Sequence, residues 1–284
     1  MEGKIIKLTG GFYTVLSEDI EYTARARGNF RNEAIKPIVG DNVVFRMEND
    51  LGYITEVLPR HNVLKRPQVA NVDQVLVVIP TKDPQYNLNL VDKVIASYED
   101  EVDILIAINK YDLDKDSAEH LLKIYRGAGF KTFLISYKYT FTIDLLREYV
   151  RGKTTALSGV SAAGKSTIIS NLLGKEIKVG GVSEKTRRGV HTTRHVEIFS
   201  GSDATFIFDT PGFSSMKLDI GPADLHNYYR EFRKYKEGCR FMDCKHIHEP
   251  DCAVKEAVMA GMISEERYDT YLQIYNELSD EERK

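Results

Sequence analysis

Four groups of residues in this sequence have types and spacing that could do chemistry. The first, Gly159-Val160-Ser161-Ala162-Ala163-Gly164-Lys165-Ser166, fits the phosphate-loop pattern G-x-x-x-x-G-K-[ST]. Such a loop turns backbone N–H groups onto phosphate oxygens, Lys165 adds a cation, and the Ser166 hydroxyl is a magnesium ligand. Thr167 continues into a helix whose N-terminal dipole favours an anion. The second group is Asn109-Lys110-Tyr111-Asp112. The Asp112 carboxylate can accept from guanine N1–H and the exocyclic amine, a donor pair that adenine lacks. Asn109 can tie the base to the phosphate loop, and the Lys110 stem can cover the ring. The third is Asp209-Thr210-Pro211-Gly212. There Asp209 would hold magnesium through water and the Gly212 N–H would sense a γ-phosphate. The fourth is Cys239, Cys244 and Cys252 with either His246 or His248, a closed Cys3His set suited to zinc. Spacing alone leaves the two histidines open.

Weaker signals surround these. Ser136 follows a short apolar run, at a position where many GTPases read Ser-Ala, but the next residue is Tyr137. Residues 174–194 are rich in glycine and charge without periodicity, which predicts a mobile switch loop carrying Lys185, Arg187, Arg188 and Arg194. Thr192 and Thr193 can offer a hydroxyl toward magnesium when a γ-phosphate is present, and Thr193 is taken as the ligand. Phe213 stands where many GTPases carry the glutamine that orients the attacking water. A phenyl ring cannot do that, so His191 is the candidate catalytic residue.

The elements that must position these groups are readable from periodicity. Residues 74–79, 103–108, 131–135, 153–158 and 204–208 are short, largely apolar strands, and helical patterns cover 88–98, 117–125, 142–150 and 167–173. That alternation predicts a mostly parallel sheet with helices on both faces, its ligands bound beyond the carboxyl ends of the strands. The guanine pattern precedes the phosphate loop, so one site requires a circularly permuted order. Before the sheet, about five short alternating strands in residues 1–58 suggest a small closed barrel. An OB-type barrel leads, and an SH3-like one stays open. Arg25, Arg27, Arg31, Lys36, Arg60, Lys65 and Arg66, with Tyr22 and Phe30, could contact RNA. The proline-punctuated stretch 58–67 reads as a linker. After 221, helical patterns flank the cysteines, and Ser264 caps an amphipathic run to Glu282. The fold class expected is multidomain α/β: an OB-type barrel at 1–66, a permuted P-loop GTPase domain at 67–221 and a helical zinc-binding domain at 222–284.

Bulk properties narrow the class. The chain has 284 residues, 42% hydrophobic and 29% charged, with a net charge of −3, so any nucleic-acid surface must be local. No apolar run reaches membrane-spanning length, the start lacks a signal-peptide core, and three clustered cysteines argue against a disulfide framework. A cytoplasmic protein is expected.

The order of barrel, NKYD, GVSAAGKS, TRRGVHTT, DTPG and C-x4-C-x-H-x5-C resembles the RsgA (YjeQ/YloQ) family of circularly permuted GTPases of small-ribosomal-subunit assembly. The resemblance covers nearly the whole chain. It implies GTP/GDP and Mg2+ as ligands and one Zn2+ per chain, held by Cys239, Cys244, His246 and Cys252. It also implies the small ribosomal subunit and its rRNA as partners, with no membrane and no DNA. A monomer is expected. Family members likewise carry a hydrophobic residue after D-T-P-G and a histidine before the switch threonines. Two departures stand out. Ala162 replaces the family's inner glycine, which strains the loop if that position needs a positive φ. Val190 replaces a basic residue before His191. The leading expectation is a GTP hydrolase that the ribosomal subunit stimulates. The alternative is a nucleotide-switched RNA-binding module with negligible turnover, and an ATP-directed enzyme is disfavoured by Asp112.

Overall fold

The computed structural model describes residues 1–27, 36–139, 141–177, 196–210 and 217–283. The chain divides into two compact units that alternate along the sequence. One comprises Met1–Gln74, Arg147–Leu157 and Ser166–Pro211, and the other Val75–Leu146, Ser158–Lys165 and Gly212–Lys284.

In the first unit, β1 (Glu2–Thr9), β2 (Phe12–Ser17), β3 (Ile20–Ala26), β4 (Asn42–Glu48) and β5 (Leu51–Val57) close into a barrel ordered β1-β2-β3-β5-β4. The β3–β5 pair is parallel and the other pairs are antiparallel. This Greek-key order is the OB arrangement, so topology decides what periodicity left open. Alternation sends Ile5, Val15, Ala24, Val43, Phe45 and Ile54 inward, each with 0% exposure. Burying each large side chain contributes about 1.5–3 kcal/mol. The stretch read as a linker instead folds as a hairpin of β6 (Val63–Lys65) and β7 (Gln68–Ala70). Leu64, Val69 and Ala70 are fully buried there. Strands of three residues are too short to show a period.

The same unit holds β11 (Thr154–Ser158, whose last residue belongs to the other unit), β12 (Ile198–Ser200) and β13 (Phe206–Asp209). They lie in the order β11-β13-β12. The β11–β13 pair is parallel and puts Leu157 beside Asp209. β12 runs antiparallel to β13, and its three residues carry no pattern from which a strand could be read.

In the second unit, β8 (Gln74–Pro80), β9 (Asp103–Asn109) and β10 (Lys131–Ile135) lie in the order β10-β9-β8. β9 and β10 are parallel, with Ile135 paired to Asn109. All seven residues of β8 are buried, as a strand covered on both faces requires. Asn87 caps α1 (Leu88–Tyr98) through the Leu90 N–H, and Asp114 caps α2 (Lys115–Gly127) through the Ser117 N–H. α3 (Phe141–Val150) begins in this unit and ends in the first, and α4 (Lys165–Leu173) starts here at the phosphate-loop lysine while its remaining residues belong to the first unit.

The C-terminal part of this unit contains α5 (Arg230–Arg233), α6 (Ala253–Met259) and α7 (Glu265–Glu282). The stretch 222–235, expected as helical, opens as a 3-10 helix over Pro222–Tyr228 before α5. Ser264 caps α7 by accepting the Arg267 N–H. Leu225, Phe232, Val254, Tyr271 and Ile274 make the local core. Among the described residues no helix is long and apolar enough to cross a membrane.

Candidate functional site

The phosphate loop leaves β11 at Gly159 and enters α4 at Lys165. Its two glycines answer to different neighbours. A Cβ on Gly159 would lie 2.5 Å from the Val78 carbonyl oxygen, and one on Gly164 would lie 2.2 Å from Asn109 Nδ2. Ala162 has φ +61°, so the position that lacks the family's glycine does adopt the left-handed region. Alanine there costs about 1–2 kcal/mol against glycine's free access. Lys165 is buried, and its ammonium donates to Gly159 O at 3.0 Å and Val160 O at 3.1 Å. It is thus curled over the loop where a polyphosphate would lie.

Residues 109–112 pack against this loop within the same unit. β9 ends at Asn109, and Asn109 Nδ2 donates to Ala163 O at 2.7 Å. Lys110 adopts φ +63°, which turns its side chain back so that Nζ donates to Ala162 O at 3.1 Å and to Asp83 O. Asp112 accepts from Ser136 Oγ at 2.7 Å and pairs with Lys138 Nζ at 3.0 Å. These two contacts, the Ser136 hydroxyl first, hold the Asp112 carboxyl below the usual carboxylate range. It stays ionised, as an acceptor for guanine donors must. Ser136 acts through its hydroxyl, because its own N–H donates to Thr142 Oγ1 at 3.2 Å. Asn109 Oδ1 and Ser158 Oγ are buried with no hydrogen-bond partner among the described residues. Buried polar atoms left over beside such a loop are what a polar ligand would satisfy.

In the other unit, Thr210 donates to Leu157 O through both its N–H and its hydroxyl, each at 2.9 Å. This fixes the end of β13, and Asp209 with it, beside the strand that feeds the phosphate loop. Ser166 and Thr167 occupy the first turn of α4. His191, Thr192, Thr193, Gly212 and Phe213, with the switch loop around them, lie outside the described residues, as do Phe30 and Arg31.

A second cluster has the chemistry of a metal site. The ligating atoms of Cys239, Cys244, His246 and Cys252 all lie within 4.8 Å of one another. Cys239 Sγ is 3.9 Å from Cys252 Sγ, and His246 Nδ1 is 3.3 Å from Cys252 Sγ and 3.6 Å from Cys239 Sγ. A zinc tetrahedron with sulfur at about 2.3 Å has edges of about 3.8 Å, so this donor set fits. His246 is buried and faces the sulfurs, whereas His248 is exposed. Burial, with His226 beside it, pushes His246 down to about 4, leaving a neutral imidazole able to coordinate. Burial pushes the Cys244 thiol up to about 12, a penalty a divalent cation would reverse.

The supporting groups here had no sequence signal. Glu249 accepts the N–H groups of Lys245, Ile247 and His248 at 2.7, 2.9 and 3.1 Å. Burial opposes its ionisation, but these donors outweigh it and bring the carboxyl to about 2. From α7, Tyr268 OH donates to His246 O and Tyr271 OH to Lys245 O. In the barrel, part of the basic set is already used: Arg60 is bonded to Asp41 at 2.6 Å, and Arg27 to Glu48 at 2.6 Å. Arg25 lies over the Phe12 ring at 4.1 Å, and Tyr22 packs against Phe45.

Comparison with known proteins places this geometry. Residues 57–219 match the RsgA GTPase family model and residues 2–54 the RsgA N-terminal domain model. The chain belongs to the RsgA GTPase family. It is 40% identical to the small ribosomal subunit biogenesis GTPase RsgA of Caldanaerobacter subterraneus subsp. tengcongensis, covering 100% of this chain and 98% of that one. It is 42% identical to the protein so named in Agathobacter rectalis, covering 100% of both. Among solved structures it resembles YjeQ from Thermotoga maritima, with a TM-score of 0.82, 32% identity and 98% of each chain covered. It also resembles YloQ, described as a circularly permuted GTPase, with a TM-score of 0.79, 34% identity and coverage of 99% and 95%. Membership of RsgA GTPases brings a guanine nucleotide and Mg2+ as ligands. The fold is that of the permuted GTPases, with an OB-like barrel before it and a Cys3His group near the C-terminus.

Proposed function

We propose that this chain hydrolyses GTP as an assembly factor in late maturation of the small ribosomal subunit, and that the subunit stimulates its turnover. The observation that carries the reading is the strapping of the phosphate loop by its guanine-reading neighbour. Asn109 and Lys110 donate to adjacent loop carbonyls, three and two residues before an ionised Asp112. Asp112 reads the guanine edge with Ser136 positioning it. Backbone N–H groups of 159–166 and the Lys165 ammonium hold the phosphates. Ser166, Thr193 and, through water, Asp209 would hold Mg2+, which neutralises charge on the transferring phosphoryl group. Gly212 senses the γ-phosphate, Thr167 and Thr192 line the phosphates, and His191 helps position the attacking water.

The functional division runs 1–66 for an RNA-binding barrel, 67–221 for the GTPase domain and 222–284 for the helical zinc domain. One Zn2+ sits on Cys239, Cys244, His246 and Cys252 as a structural centre, since four protein ligands leave no open position. The partners are the small subunit and its rRNA, met by a cytoplasmic monomer, with DNA and membranes playing no part. The test measures GTP hydrolysis by wild type and His191→Ala, each with and without small ribosomal subunits. Stimulation by the subunit that His191→Ala abolishes is expected. Stoichiometric GTP binding with unchanged, negligible turnover would overturn it in favour of an RNA-binding switch.

A further inference from the structure

Three consecutive carbonyls of the phosphate loop each accept a hydrogen bond from a side chain outside it. Ala162 O accepts from Lys110 Nζ at 3.1 Å, Ala163 O from Asn109 Nδ2 at 2.7 Å, and Gly164 O from Tyr137 OH at 3.3 Å. The first two donors belong to the guanine-reading loop. The third does not, and Tyr137 stands where the sequence departs from the Ser-Ala pattern of other GTPases. The loop it reaches carries the chain's other departure, Ala162 in the left-handed region at φ +61°.

We propose that Tyr137 is a positioning residue of the phosphate loop, its hydroxyl holding in place a loop that Ala162 strains. A peptide plane puts its C=O and the following N–H on opposite sides. Tethering the Gly164 carbonyl outward therefore aims the Lys165 N–H inward, where a phosphate oxygen is bound. A glycine at this position needs no such help. An alanine there pulls the loop toward right-handed or extended conformations, which would swing the next peptide planes out of register. Tyr137 resists that swing from β10's far end, and the bond is within reach because the residue follows Ser136, itself anchored to Asp112.

The inference rests on reading this loop as the nucleotide site, and its test separates the two. GDP and IDP affinities would be measured for wild type, Tyr137→Phe, Ala162→Gly and the double variant. Amide exchange across 159–166 would be followed without nucleotide. Losing one hydrogen bond should weaken GDP about fivefold when Ala162 is present and by less than about twofold when Ala162→Gly has already relieved the loop. The GDP-to-IDP ratio should stay constant, because Asp112 alone reads the exocyclic amine that IDP lacks. Without nucleotide, Tyr137→Phe should speed exchange at 162–165. Equal losses in both backgrounds, a changed GDP-to-IDP ratio or unaltered exchange would overturn the role of Tyr137. Failure of wild type to bind GDP would instead overturn the nucleotide reading, and the exchange measurement would still judge the strap.

Discussion

A carboxylate selects guanine only if it is ionised and held still, and at Asp112 both conditions come from residues 24 and 26 positions away in the chain, Ser136 and Lys138. Because the folded-state titration is lowered, ionisation persists as pH falls and ends only below the ordinary carboxylate range. GDP affinity should therefore stay flat from neutrality down to about pH 5 and fail only in stronger acid, as titration calorimetry can follow. Asp112→Asn removes the acceptor pair, so GDP should bind about 100-fold more weakly while a xanthine nucleotide gains. Unchanged base preference would refute the assignment. Asp112, Asn109 and Lys165 can be singled out from the letters because each sits in a short patterned string, and the N-K-x-D string gains its meaning only from the strand before it and the phosphate loop elsewhere in the chain. Ser136 is marked in the letters only by its position, whereas in the fold its hydroxyl donates to Asp112. A string of letters does not show which atom of a serine is already engaged.

Among the helices, α7 shows how far an amphipathic pattern can mislead. Its Arg267 carries a full charge, yet it is 2% exposed. It pairs with Asp92 of α1 and donates to Glu231 of α5 at 2.7 and 3.1 Å, with the Tyr229 ring 4.4 Å from the guanidinium. Thr270 donates to the second Asp92 oxygen and Tyr125 OH to the first. This buried arginine with two carboxylates joins the helices around the cysteine cluster to the α1 that follows β8. Removing it leaves two buried charges unmatched, so Arg267→Met should cost about 3–5 kcal/mol in urea unfolding. Burial already raises Asp92, and losing the arginine raises it further. The folded state then binds protons more readily than the unfolded one, so the defect should shrink as pH falls. A loss under about 1 kcal/mol would show that the network is not a structural joint. No sequence period marks it, because its members lie up to 178 residues apart.

For the chain as a whole, the Cys3His group gathers four ligands from one short stretch into a centre on which the C-terminal helices pack. Chelation, or Cys244→Ser, should release one zinc per chain and lower the thermal midpoint on the order of 10 °C. Purified protein containing no zinc would remove that assignment. The ligand-bearing strings, the alternation of strands and helices and the permuted order can all be read from the letters, because these are local patterns with fixed spacing. Other features needed the folded chain. Barrel closure with a parallel β3–β5 pair chose OB over SH3-like, and burial sets His246 apart from the exposed His248, which spacing left open and only the family resemblance had implied. The left-handed turn at Ala162 and the tyrosine reaching Gly164 O also appear only in three dimensions. The physical reason is common to all of them. Handedness, burial and hydrogen-bond partners are relations between residues far apart in the chain, and a linear string records no distances.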